Sequence, residues 1–200
     1  MKRILGAVAC LTVVGLANPA DAHSPFPGAG EFYNGMLHPL IVPAYLLGIL
    51  GLGLLFGQKA PQSSQFAVPA FGVSVVAAMA MPHAIAGPLP QSILLGVVLV
   101  AGLVVALSLN LGAILPCLFA VFAGALIGLD IRQNALAEGQ SWIALAGAAT
   151  GAIIAVAMVA AFVVWLRRAW NGIAVRVLGS WTAASAFLVI ALSFAPITVR

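Results

Sequence analysis

Charge is what this chain has least of. Lys and Arg together number 8 and Asp and Glu number 4 in 200 residues, or 6%, where ordinary globular chains carry roughly a quarter. With 64% hydrophobic residues and a mean hydropathy of +1.18, the apolar excess has to face lipid or other apolar helices, which excludes a soluble domain. Cysteine is almost missing too, with Cys10 and Cys117 alone, and Cys10 falls in a segment expected to be removed. A single remaining thiol excludes an intramolecular disulfide and argues against redox chemistry.

Other absences narrow the function. The pI near 9.7 rests on 8 basic residues that form no stripe with interleaved aromatics, so nucleic acid is not an expected partner. No ATP-binding motif and no glycine-rich phosphate loop occurs. So few polar residues cannot build a Ser/His/Asp, Cys/His or paired-carboxylate centre, so the chain is not expected to be an enzyme or to hold a tightly bound cofactor.

What is there is a series of long apolar runs. The first has the three parts of a secretory signal: Lys2-Arg3, an apolar core from Ile4 to Leu16, and Asn18-Pro19-Ala20-Asp21-Ala22 with small residues spaced for cleavage after Ala22. Residues 1–22 are therefore expected to leave, with His23 becoming the N-terminus; an uncleaved anchor helix is the alternative. From His23 to Phe32 a short Gly- and Pro-rich segment leads into the membrane domain, residues 23–200.

The composition predicts an all-α polytopic bundle of six transmembrane helices, at about Leu37–Gly57, Phe66–Gly87, Gln91–Leu109, Leu111–Leu129, Trp142–Leu166 and Val175–Ala195. The third and fourth are divided on the strength of Asn110, Gly112 and Pro116 within an uncharged run too long for one crossing. Charge supports the division. Six spans after an exported N-terminus put Lys59, Arg167, Arg168 and Arg176 in the cytoplasm, as the positive-inside rule requires, and leave Arg132 and Arg200 outside. The expected location is the inner membrane of a bacterium, with the mature N-terminus on the periplasmic side. Gly124-Ala-Leu-Ile-Gly128 and Gly147-Ala-Ala-Thr-Gly151 are small-xxx-small patterns for close helix packing. Pro43, Pro69, Pro82 and Pro116 interrupt spans and each removes a backbone donor.

This topology gathers ionisable groups at one mouth. His38 opens the first span, His83 lies near the outer end of the second, His23 is the outer N-terminus, Asp130 ends the fourth span, and Glu31 precedes the first. Imidazole and carboxylate suit borderline divalent ions, and a terminal histidine adds its α-amino group. Met79 shares a helix face with His83, and Met36 and Met81 lie nearby, a set that suits a softer ion such as copper. Each histidine taken singly also fits an interfacial role: His38 precedes a helix that Pro39 would start, and His83 is open to satisfaction by a neighbouring helix.

On these residues the chain resembles the HupE/UreJ family of hydrogenase and urease accessory membrane proteins, thought to be nickel or cobalt permeases. The resemblance rests on the signal peptide, the mature His23, His38-Pro39-Leu40 leading into an apolar run, and Phe122-x-Gly124-x-x-x-Gly128-x-Asp130. It implies transport of nickel or cobalt in support of metalloenzyme maturation, with the lipid bilayer and a transition-metal ion as partners and a homo-oligomer open as an assembly. Family members typically carry an Asp-His pair where this chain has Ala44-Tyr45, and histidines where it has Ala123 and Ile127. Carried over by position, His38 and Asp130 remain as ligands, with His83 outside the motif. The competing expectation is a non-transporting accessory or scaffold protein of the same fold.

Overall fold

The computed structural model describes residues 28–58, 64–81, 91–110, 112, 114–137, 139, 141–170 and 172–194. The helices are α1 (Gly30–Ile41), α2 (Pro43–Gln58), α3 (Ser64–Ala80), α4 (Gln91–Ala106), α5 (Ile114–Ala137), α6 (Trp142–Trp170) and α7 (Ile173–Ser193), and no strand occurs among the described residues. The expected signal segment, His23, Lys59, Pro82, His83 and Arg200 lie outside the described residues.

The central element is α2, which touches every other described helix. Its sequence, Pro-Ala-Tyr-Leu-Leu-Gly-Ile-Leu-Gly-Leu-Gly-Leu-Leu-Phe-Gly-Gln, is apolar all round, as a helix surrounded by other helices must be. Tyr45, Ile49, Leu52 and Phe56 are fully buried. Pro43 sets where this helix begins. A proline disfavours helical backbone in the residue before it, and Val42 is accordingly extended at φ −76°, ψ 116°. The chain bends there by 75°. The single straight span expected over Leu37–Gly57 is thus two helices, and the expected lead-in is already helical from Gly30.

Neighbour pairs give the helix directions. Gly48 and Gly51 of α2 face Leu94 and Val98 of α4, and Gln58 Nε2 donates to the Val105 carbonyl at 2.7 Å, so α2 and α4 run the same way. Gly53 and Gly57 advance along Val156 to Val163, which makes α6 parallel as well. Tyr45 meets Asp130 while Gly48 meets Ile127, so α5 runs opposite to α2, and α3 is parallel to α5 through Phe71–Gly124 and Val75–Gly128. Gly102 meets Gly179 and Ala183 while Val105 also reaches Gly179, so α7 opposes α4. From α2 to α7 direction therefore alternates.

The expected division of the third and fourth spans is present, though its stop lies slightly earlier than Asn110. Ser108 takes the left-handed conformation at φ 55°, Ser108 N donates to Val105 O and Leu109 N to Val104 O. This pair of hydrogen bonds closes α4 by satisfying its last carbonyls. Pro116 does not interrupt a span; it sits in the first turn of α5, where a backbone N–H has no helical partner to lose. Pro69 lies inside α3 without ending it.

Lengths depart from the six-span expectation. Three helices, α5, α6 and α7, are long and apolar enough to cross a membrane, and a fourth crossing is reached if the bent α1–α2 pair counts as one broken span. With 17 and 16 residues, α3 and α4 are shorter apolar helices, about 25 Å long at 1.5 Å per residue against a hydrocarbon core of ~30 Å. In the other direction α5 continues to Ala137, so Asp130 lies two turns inside the helix rather than at its end.

Small residues make the seams, because apolar side chains gain little from each other in lipid and close backbone approach takes over. A Cβ on Gly124 would stand 2.8 Å from the Phe71 carbonyl oxygen, and one on Gly128 would stand 2.5 Å from that of Val75. On α6, Gly147 and Gly151 receive the Phe32 and Met36 carbonyls of α1 in the same way. Both small-xxx-small patterns are packing seams.

Arginines close the ends of the helices. Arg167 Nη1 reaches the Gly57 carbonyl at 3.4 Å, Arg176 Nε reaches that of Ala106 at 2.9 Å, and Arg132 Nη1 donates to that of Met79. Each thus supplies a cation from another helix to the last carbonyls of α2, α4 and α3, where the helix dipole favours positive charge. Arg167 and Arg176 lie together at the end of the bundle opposite Asp130. Arg132, expected in a loop, is instead a half-buried residue of α5.

Candidate functional site

At the other end, three polar side chains meet between α2 and α5. The Tyr45 hydroxyl donates to Asp130 Oδ2 at 2.7 Å, and Asn134 Nδ2 donates to the Tyr45 oxygen at 3.2 Å. Asp130 and Asn134 are one helical turn apart and so present a common face. The Tyr45 ring also lies beside the His38 imidazole, with centroids 6.0 Å apart and planes at 55°. Because the chain bends at Val42, His38 on α1 is turned back toward the first residues of α2 rather than continuing along the same axis. Two of the sequence-derived ligands, His38 and Asp130, therefore converge on one residue that was not among them.

Tyr45 and Asn134 were missed for different reasons. Asn134 was discoverable from its i+4 spacing to Asp130, a signal hidden by ending the span at Leu129. Tyr45 stands where the resemblance expects a histidine, and its role depends on Asp130, 85 residues away. A tyrosine in apolar surroundings ordinarily finds a partner for its hydroxyl, and here the partner is a carboxylate.

The remaining candidates do not join this cluster. Glu31 is exposed in the first turn of α1, and its Oε2 accepts from Ser141 Oγ at the start of α6. His23 and His83 are outside the described residues. Met79 is buried in the core, its carbonyl is taken by Arg132, and Met81 is exposed. Among the described residues no group of three His, Cys, Asp or Glu side chains is placed to hold a metal ion.

Ala44, Ala123 and Ile127, at the other positions where the resemblance expects ligands, are buried hydrophobic residues of the common core. Ile127 also touches the space beside Gly48, so an apolar side chain occupies the middle of the α2–α5 contact.

Beyond Arg132, the Trp142 ring lies 5.4 Å from the guanidinium carbon. Arg132 is thereby held between the end of α3 and the start of α6, with its Nε buried and unpaired among the described residues.

No curated protein and no solved structure gives a significant match. The family model described as HupE / UreJ protein matches residues 11–189, nearly the whole chain, including every residue of the Tyr45 cluster. With its long apolar helices and alternating bundle, this chain is a membrane protein that belongs to the HupE/UreJ family.

Proposed function

We propose that the protein is a permease for a divalent transition metal, nickel or cobalt, taking the ion at the Tyr45 end of the bundle and serving metalloenzyme maturation. The observation that carries this reading is the convergence of His38 and Asp130 on Tyr45, between helices of a family with a metal-related role. An imidazole nitrogen and a carboxylate match borderline ions. A site of few protein donors, completed by water, suits cargo that has to leave as readily as it enters.

In this reading the Tyr45 end faces the periplasm and the Arg167/Arg176 end faces the cytoplasm, in keeping with the positive-inside rule. Tyr45 is the positioning residue: it holds one carboxylate oxygen of Asp130 and packs against His38. The chemistry is binding and release, without a catalysed reaction. The test is accumulation of radiolabelled Ni²⁺, Co²⁺ and Cu by cells, normalised to membrane-inserted protein. Uptake of Ni²⁺ or Co²⁺ above an empty-vector control is expected, and none for any ion overturns the permease reading.

One observation favours a second reading, a non-transporting accessory protein. Ala44, Ala123 and Ile127 fill the interior where relatives are expected to carry ligands, and Tyr45 already occupies Asp130. In that case the cluster is a structural bond between α2 and α5, and wild-type protein gives no uptake.

A further inference from the structure

An outward-facing groove of about 370 Å³ lies between α3 and α6. Its walls are Val76 and Met79 on one side and Trp142, Ala146, Ala149 and Thr150 on the other. They offer almost nothing to a polar ligand. The one hydroxyl, on Thr150, already donates to the Ala146 carbonyl of its own helix at 2.7 Å. The groove is lined by small residues on α6, flanked by exposed Val76 and Trp142, and of a volume that binds small ligands.

Arg132 gives the groove a charged end. It is not part of the wall, but it touches two residues that are: its Nη1 donates to the Met79 carbonyl, and its guanidinium sits over the Trp142 ring. Its contacts include no carboxylate among the described residues. Of the described acids, Glu31 is held by Ser141 and Asp130 by Tyr45, while Glu138, which lies between Arg132 and Trp142 in the chain, is outside the described residues. Arg132 is half-buried and its Nε is enclosed, so the N–H donors left for a ligand are those of its terminal nitrogens beyond the one given to Met79. An arginine beside a tryptophan at the end of an apolar groove is the arrangement of a membrane interface, where aromatic rings sit at headgroup depth and cationic side chains reach toward phosphate.

We propose that the α3–α6 groove binds one acyl chain of an anionic phospholipid whose headgroup phosphate is held by Arg132 beside Trp142. Charge complementarity selects the occupant. The groove accepts any acyl chain, and the cation at its end prefers a net negative headgroup and donates hydrogen bonds to phosphate oxygens in the planar geometry that guanidinium suits. Bound there, the lipid adds to the contact that α3 and α6 already make at Gly72 and Ile153. This site is separate from the Tyr45 cluster and does not rest on metal transport.

The test is native mass spectrometry of the full-length protein released from nanodiscs of equimolar phosphatidylglycerol and phosphatidylcholine. Wild type is expected to retain phosphatidylglycerol about tenfold over phosphatidylcholine, the scale of a charge-assisted hydrogen bond. Arg132→Gln should bring that ratio close to one while lipid is still retained. Ala146→Phe, which leaves Arg132 and its bond to Met79 untouched, should fill the groove and reduce retention of both lipids. Should Arg132→Gln fail to insert, Arg132→Lys keeps the charge and is expected to show a reduced ratio that still exceeds one. A wild-type ratio near one, or Ala146→Phe retaining lipid as wild type does, overturns the proposal. So does loss of a protein dimer, in place of lipid, on Ala146→Phe, since the groove would then be a surface between copies.

Discussion

The Tyr45 hydroxyl donates to Asp130 Oδ2 at 2.7 Å across the antiparallel contact of α2 and α5. Tyr45 is fully buried and Asp130 half-buried, so one end of this bond is shielded from water, and it ties the central helix to the one that carries Gly124, Gly128 and Asp130. It also gives His38 a neighbour with a fixed ring, so that α1 is registered against the same point.

Tyr45→Phe keeps the ring against His38 and removes the hydroxyl. Asp130 and Asn134, both half-buried, each lose a partner, and unfolding in mixed micelles should show a loss of about 1–3 kcal/mol, the scale of a hydrogen bond to a carboxylate. Tyr45→Phe with Asp130→Leu in one chain should recover part of that loss, because both ends of the bond are then apolar. A double variant as unstable as the two single losses added together would show that the bond is not what couples them.

His38→Ala and Asp130→Ala should each lower Ni²⁺ or Co²⁺ accumulation at low external metal, with partial rescue at high metal, because a lost ligand weakens capture rather than passage. His83→Ala should follow them only if that histidine supplies a further ligand. Radiolabelled uptake as a function of external metal checks this, and equal uptake by all three variants and wild type would remove the site.

Gly128→Ala should destabilise the α3–α5 seam by about 1–3 kcal/mol, since its Cβ would stand 2.5 Å from the Val75 carbonyl oxygen and backbone has to move. Gly96→Ala is the control within the same bundle. Nothing lies within 4 Å of a Cβ there, so relief of the glycine penalty should leave stability unchanged or raise it by roughly 0.5–1 kcal/mol. Denaturation of the two variants side by side measures the difference.

A single cysteine at Gly139, in a Cys117→Ala background, should react with an impermeant thiol reagent applied outside the cell, because Gly139 is an exposed turn residue between α5 and α6, beyond the Asp130 end. A cysteine at Gln62, between α2 and α3, should be protected until the membrane is opened. The reverse labelling pattern would invert the proposed orientation.

The sequence by itself determined the class of this protein and the rough address of its later helices. Those properties are local and additive: an uncharged run is apolar wherever it sits, and small residues four apart lie on one helix face in any bundle. Hence the paired glycines at 124 and 128 and at 147 and 151 were legible as seams, and the break before α5 was legible from turn-forming residues. The bend at Val42 was legible in principle, since Pro43 restricts its neighbour, yet an unbroken hydropathy run concealed it. Only the tertiary structure decided which polar residues meet. Tyr45 and Asp130 are 85 positions apart, and Arg132 and Met79 are 53 apart. Whether a side chain of α5 turns toward α2, α3 or lipid depends on the rotation of whole helices about their axes. That rotation is set by backbone contact along the glycine seams, and although the seams are local patterns, which helix each one meets is decided by residues far away in the chain.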